Sequence, residues 1–164
     1  MDINKLKYFN LLYKDISNEY KKQLNILLSN SFDIDSYELH DFTIITGFLL
    51  NGELIASISL LKHEDLKKLL VMNDNHEMNG YSNKGDNGLF VYNVVVSKKY
   101  QRKHLAELLL KLAIKYSNNI KYLHCQVKKN NEPSFNLFFK CGFQIENEME
   151  DNENNIVCVM SRNI

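Results

Sequence analysis

The stretch VSKKYQRKHLAELLLKLA, from Val96 to Ala113, constrains the fold more than any other part of the chain. It begins at the end of a β-branched apolar run, Leu89–Val96, whose length and composition predict a buried strand. It ends in a helical pattern, with Leu105, Leu108, Leu109, Leu112, Ala113 and Tyr116 on one face. Glu107, Lys111 and Lys115 step by four on the other face, in the favourable acid-first order. Between strand and helix lies a basic turn carrying Lys98, Lys99, Arg102, Lys103 and His104. A strand feeding a polar turn feeding a helix is a geometry that binds phosphate. The first N–H groups of a helix lack intrahelical partners, and the helix dipole favours an anion there. The plain alternative is a solvated basic helix start. A cation there works against the dipole unless an anion joins it.

Elements with equally local causes surround this stretch. Leu6–Tyr13 alternates loosely and reads as a strand. Ser17 caps an amphipathic helix through Tyr20, Leu24, Leu27 and Leu28 that ends near Asn30. DIDSYELHD reads as a polar loop or short helical turn. Phe42–Leu50 and Glu53–Leu61 form a hairpin, because Asn51-Gly52 supplies the positive φ angles of a two-residue type I′ turn. Glu64–Leu70 is a short helical possibility, and residues 72–88 are polar, Gly-containing and aperiodic. Tyr122–Val127 is a strand. Pro133 suits a first helical turn and Gly142 the position just past a helix end. Phe143–Glu148 and Ile156–Arg162 close the chain as strands. This order is neither a βαβ repeat nor all-β, and it predicts a mixed sheet with helices on both faces.

Composition narrows the function. The chain has 164 residues, which suits a single domain over 1–164, and 45% apolar content. Its formal net charge is zero, which argues against a general nucleic-acid or membrane-surface binder. An odd count of three cysteines, with no CxxC pair, fits a reducing, cytoplasmic setting and neither a disulfide scaffold nor a metal site. The N-terminus lacks the apolar core of a signal peptide, and no run approaches the length of a membrane span. The Asn, Lys and Ile bias points to an AT-rich genome.

Two blocks carry a resemblance. Gln101-x-x-His104-x-Ala106 resembles the acetyl-CoA signature of the GNAT superfamily of N-acetyltransferases, except that His104 stands where glycine or alanine is usual. Asn131-x-x-Ser134-x-x-Leu137-Phe138-x-Lys140-x-Gly142-Phe143 resembles the second block of that family, with Phe138 where tyrosine is common. The resemblance implies an α/β (α+β) fold. Its sheet is mixed but mostly antiparallel, with six or seven strands, helices on both faces and two splayed parallel strands. It implies acetyl-CoA as co-substrate and no metal. The backbone of Val94, Val95 and Val96 would pair with the pantetheine arm. Gln101, Arg102, Lys103, His104, Leu105 and Ala106 would hold the pyrophosphate. Asn131 and Phe138 would flank the pantetheine and the sulfur. Tyr92, two residues before Val94, is the catalytic candidate, which strand alternation can point into the acceptor cleft for proton relay or hydrogen bonding; a packed strand tyrosine is the alternative. The implied reaction is acetyl transfer to a primary amine of a small molecule or peptide. The alternative is a GNAT-fold protein that binds CoA or a partner with little chemistry, which Phe138 and His104 both motivate.

Other polar residues have plainer readings. Cys125 and Cys141 read as small buried apolars. His124 lies on a strand face that a helix could cover, and His76 and Glu77 lie in the long polar loop. The acidic run Glu146–Glu153 is a solvated turn or a border for a cationic acceptor. Nothing in the sequence separates monomer from homodimer.

Overall fold

A computed structural model describes residues 1–72, 81, 82 and 84–164. The strands are β1 (Leu6–Leu12), β2 (Ile44–Leu50), β3 (Glu53–Lys62), β4 (Gly88–Val96), β5 (Tyr122–Lys128), β6 (Gln144–Glu150) and β7 (Ile156–Asn163). The helices are α1 (Asn18–Phe32), α2 (His63–Met72), α3 (Leu105–Lys115) and α4 (Glu132–Lys140). The sheet order is β1-β2-β3-β4-β5-β7-β6. β4 and β5 are parallel, and the other registered pairs are antiparallel. The mixed, mostly antiparallel sheet expected from the sequence is therefore present, with seven strands. The described residues form two compact units, Met1–Leu60 with Asn93–Ala113, and Leu61–Tyr92 with Ile114–Ile164.

In the first unit, Ser17 caps α1 by accepting from the Tyr20 N–H, and Asp33 ends it in the left-handed region with φ 52°. That geometry extends the helix two residues past the expected Asn30. Its apolar stripe of Leu24, Leu27 and Leu28 packs with Ile16, Ile45, Leu54 and Val95. Each such leucine stabilises the fold by roughly 2 kcal/mol. The β2–β3 hairpin turns on Asn51 (φ 51°) and Gly52 (φ 82°), both in the sense a type I′ turn needs. Gln23 of α1 stitches it down, accepting from the Leu54 N–H at 2.8 Å and donating to the Gly52 carbonyl at 3.5 Å. Residues 33–43 stay irregular, without a helical turn.

In the second unit, the parallel ladder joins Gly88–Val91 to Tyr122–Cys125. β5 continues to Lys128 and pairs along its whole length with β7. α4 has a defined boundary at each end. Asn131 caps it by accepting from the Ser134 N–H, and Pro133 occupies its first turn. At its other end, the Phe143 N–H bonds the Phe138 carbonyl and the Gly142 N–H bonds the Phe139 carbonyl, both at 3.0 Å. Gly142 takes φ 84°. This is a Schellman motif, and the Phe138–Phe143 ring contact at 5.0 Å is its hydrophobic partner.

Two glycines are fixed by aromatic neighbours rather than by turns. Gly47 lies opposite Phe9 in the β1–β2 register, and Gly88 lies opposite Tyr122 in the β4–β5 register. In each pair the ring lies over the glycine, where a Cβ would otherwise stand.

Candidate functional site

The basic turn has an unusual backbone. Gln101 is extended, Arg102 has φ 61° and His104 has φ 57°. Two left-handed residues lie within three positions, and left-handed residues in a turn are one ingredient of an anion-binding nest. α3 begins immediately afterwards at Leu105, adding its unpartnered first-turn N–H groups. Arg102 and Lys103 are exposed and make no ion pair among the described residues. The Gln101 side chain donates to the Val96 carbonyl at 3.3 Å, so the signature glutamine braces the end of β4. The Ser97 N–H bonds the Ile55 carbonyl at 2.8 Å, fixing the same strand end to β3.

His104 now has a physical account. A left-handed residue costs about 1–2 kcal/mol unless it is glycine, and histidine bears this better than most residues. The side chain is 79% exposed, and its Nδ1 faces the Glu107 carboxylate at 3.6 Å. It lies toward Glu107 on the first turn of α3. We expect His104→Gly to leave CoA affinity within about threefold of the parent, or to tighten it, while removing the left-handed strain. Isothermal titration with CoA checks this. A tenfold loss would make the imidazole a phosphate ligand.

Of the other expected site residues, Tyr92, Asn131 and Phe138 belong to the second unit and Val94, Val95 and Val96 to the first. Tyr92 is 43% exposed, with its ring 6.1 Å from Phe90. Asn131 uses its carboxamide oxygen to cap α4. Phe138 is a buried core aromatic. Val94 and Val96 are half-buried and Val95 is buried, as alternation along a strand dictates.

The remaining candidates sort by environment. His124 is fully buried, and both its ring nitrogens lack a hydrogen-bond partner among the described residues. Burial first, and neighbouring His63 second, push its pKa down to about 4. It is neutral at pH 7 and a poor general base. It sits in an aromatic cluster with Phe90, Tyr122 and His63, centroids 5.2–5.8 Å away. Cys125, Cys141 and Cys158 are buried and form no disulfide among the described residues, and burial raises Cys125 well above the usual thiol range. The acidic run neutralises itself. Glu148 pairs with Lys129 at 3.0 Å, and Asp151 and Glu153 face Lys128 at 4.0 and 3.8 Å. Asp151 also accepts the turn N–H groups of Glu153 and Asn155. This favours a hairpin turn over a cationic-acceptor border. His76 and Glu77 lie outside the described residues. Among the described residues, no group of three or more His, Cys, Asp or Glu side chains could hold a metal. None of the described helices is long and apolar enough to cross a membrane.

A polar arrangement that sequence reading missed lies in the first unit. The carboxamide of Asn25 on α1 clamps the Tyr37 backbone. Its Nδ2 donates to the Tyr37 carbonyl at 3.2 Å and its Oδ1 accepts the Tyr37 N–H at 3.4 Å. Ser29 holds the clamp from one turn later, donating to the same Oδ1 at 2.9 Å. The Tyr37 hydroxyl thereby meets Asn93 on β4, whose Nδ2 donates to it at 3.4 Å. The one available signal was an asparagine inside LFVYNVVV, a run otherwise apolar or aromatic.

The chain's sequence matches the model of the family described as "Acetyltransferase (GNAT) family" over residues 9–143. No curated protein matches it. Among solved structures, it resembles a GNAT-family acetyltransferase from Streptococcus pneumoniae, with 17% identity and a TM-score of 0.68, covering 96% of this chain and 99% of that one. The ribosomal-protein-S18-alanine N-acetyltransferase from Escherichia coli gives 11% identity and a TM-score of 0.62, covering 96% and 94%. A candidate streptothricin acetyltransferase from Bacillus anthracis, solved with acetyl coenzyme A, gives 18% identity and a TM-score of 0.55, covering 74% of this chain and 62% of that one.

Proposed function

The chain belongs to the GNAT family of acetyltransferases, and from that premise we propose that it moves the acetyl group of acetyl-CoA to a primary amine of a small molecule or peptide. The observation that carries the donor half is the turn from Gln101 to Ala106. Its two left-handed residues, the start of α3 and the exposed cations Arg102 and Lys103 together suit a pyrophosphate. Main-chain groups of Val94, Val95 and Val96 would pair with the pantetheine arm as an added strand does, so their side chains are free to be ordinary valines. Asn131 and Phe138 would lie along the same arm.

In the reaction, the neutral amine nitrogen attacks the thioester carbonyl. The resulting tetrahedral centre collapses with cleavage of the C–S bond, the amine loses a proton and CoA leaves as the thiol. Orientation of the two bound substrates supplies much of the rate. Phe138 has no hydroxyl to protonate the departing sulfur. A thiol of pKa about 8.5 leaves without that help. Tyr92, the exposed tyrosine of β4, would hydrogen-bond on the acceptor side, with solvent taking the proton. Residues 1–164 would act as one domain, in the reducing setting that an odd count of three cysteines favours.

Thiol release from acetyl-CoA, followed with a panel of alkylamines, polyamines, amino sugars and N-terminal and lysine peptides, tests this reading. Amine-dependent release at rates above about 1 per second supports an enzyme. Tight CoA binding with no amine-dependent release from the whole panel would identify a CoA-binding protein instead.

A further inference from the structure

Asn93 presents a polar group the fold does not satisfy. The residue is 6% exposed, and its Oδ1 is buried without a hydrogen-bond partner among the described residues. A buried acceptor left unpaired is expensive, and an apolar residue of the same size would avoid the penalty. Strand β4 is otherwise built from apolar and aromatic side chains, so a leucine or valine here would follow the pattern of its neighbours. The chain instead holds an asparagine and surrounds it with supporting bonds. Ser29 fixes Asn25, Asn25 grips both backbone groups of Tyr37, and the Tyr37 hydroxyl takes the Asn93 Nδ2. That sequence of contacts orients the carboxamide, so that Oδ1 is the buried end with no partner among the described residues.

We infer that Asn93 Oδ1 and Tyr37 form the docking pair for the acceptor amine, with Oδ1 accepting an N–H of the nitrogen that will be acetylated. The inference rests on the acetyltransfer reading above. Asn93 immediately precedes Val94, the first residue assigned to the pantetheine arm, so an amine held there enters beside the thioester end of the donor. An amine nitrogen brings N–H donors and no buried charge requirement once it is neutral, which is the chemistry a lone amide oxygen satisfies. A hydroxyl acceptor would offer one donor only and a weaker match. Asn93 acts on substrate, whereas Asn25 and Ser29 are positioning residues that act through Tyr37.

The test uses the full chain with n-butylamine as the amine probe. Its binding is measured by titration calorimetry with and without saturating CoA, for the parent, Asn93→Leu, Asn93→Asp and Tyr37→Phe. Thermal unfolding of each is recorded alongside. Asn93→Leu is expected to weaken butylamine binding at least tenfold, to leave CoA affinity unchanged and to keep or raise the melting temperature. A purely structural asparagine would give the reverse, a lower melting temperature with amine binding intact. Asn93→Asp keeps an acceptor and is expected to retain amine binding. Equal loss in Asn93→Asp and Asn93→Leu would mean that the amide donates rather than accepts, and would overturn the assignment. So would a parent protein that binds no butylamine. Failure of CoA to bind the parent would overturn the acetyltransfer reading instead, because amine binding is read independently in the CoA-free titrations.

Discussion

Gly88→Ala is expected to cost about 2–3 kcal/mol of folding stability, more than an alanine substitution in an ordinary strand should. Alanine normally improves a strand relative to glycine, since glycine loses more conformational freedom on folding. Gly88 reverses this because a Cβ there would stand 2.3 Å from the Tyr122 ring carbon Cζ and 2.6 Å from its hydroxyl oxygen. The ring cannot easily yield. Tyr122 is among the fully buried side chains, its hydroxyl donates to the Gly85 carbonyl at 2.7 Å, and it also meets His63 Nδ1 at 3.3 Å. Moving the ring would break those bonds and shift the buried histidines. Urea unfolding checks the magnitude. Tyr122→Leu in the same chain should recover part of the loss, because it removes the colliding atoms. Tyr122→Phe should recover little, because Cζ remains. If Gly88→Ala unfolds at the parent's urea midpoint, the aromatic cover is not what keeps the glycine.

This position shows why parts of the fold were readable from sequence and others were not. Asn51-Gly52 announces its turn, because the dipeptide itself selects the backbone geometry. The block from Asn131 to Phe143 was readable for a similar reason. Its residues are a helix cap at one end and a Schellman motif at the other, so its spacing is set by local hydrogen bonds. The Arg102–His104 turn was half readable. Its place between strand and helix could be seen, but two non-glycine residues at positive φ are visible only in the backbone. Gly47 and Gly88 carry no local signal at all, because each depends on an aromatic residue in another strand. The same holds for the Asn25–Tyr37–Asn93 contacts, where bonding spans 12 and then 56 residues. Register and tertiary approach decide such contacts, and one-dimensional periodicity does not encode them. The acidic run was readable as a solvated turn, but its ion pairs were not. Its charges are obvious in sequence, while the lysines that answer them lie on and just after β5.

Acidification should destabilise the protein well before its carboxylates are titrated, and His124 is the principal cause. In the unfolded chain this imidazole titrates near 6.5. In the fold it titrates at about 4, because burial disfavours its charged form and His63 adds to the effect. His63 is itself lowered, by burial and then by Lys67. The groups facing the ring include Tyr122 on its own strand, His63 at the start of α2, and Glu146 on β6, which pulls weakly the other way. The sign follows from linkage. Above pH 6.5 the ring is neutral in both states and contributes no pH dependence. Between about 6.5 and 4 the unfolded chain binds a proton that the fold refuses, so stability falls as pH falls, and the loss levels off below 4. A difference of about 2.5 pKa units corresponds to about 3 kcal/mol in full, of which about 2 is reached by pH 5. His124→Phe keeps an aromatic ring for Phe90 and Tyr122 to pack on, and it removes two unpartnered nitrogens. It should therefore match or exceed the parent's stability at pH 7.5 and lose about 2 kcal/mol less on moving to pH 5. Urea midpoints at the two pH values give the comparison directly. Equal losses in parent and variant would show that His124 gains a proton within the fold, and that the buried cluster is open enough to accept the charge.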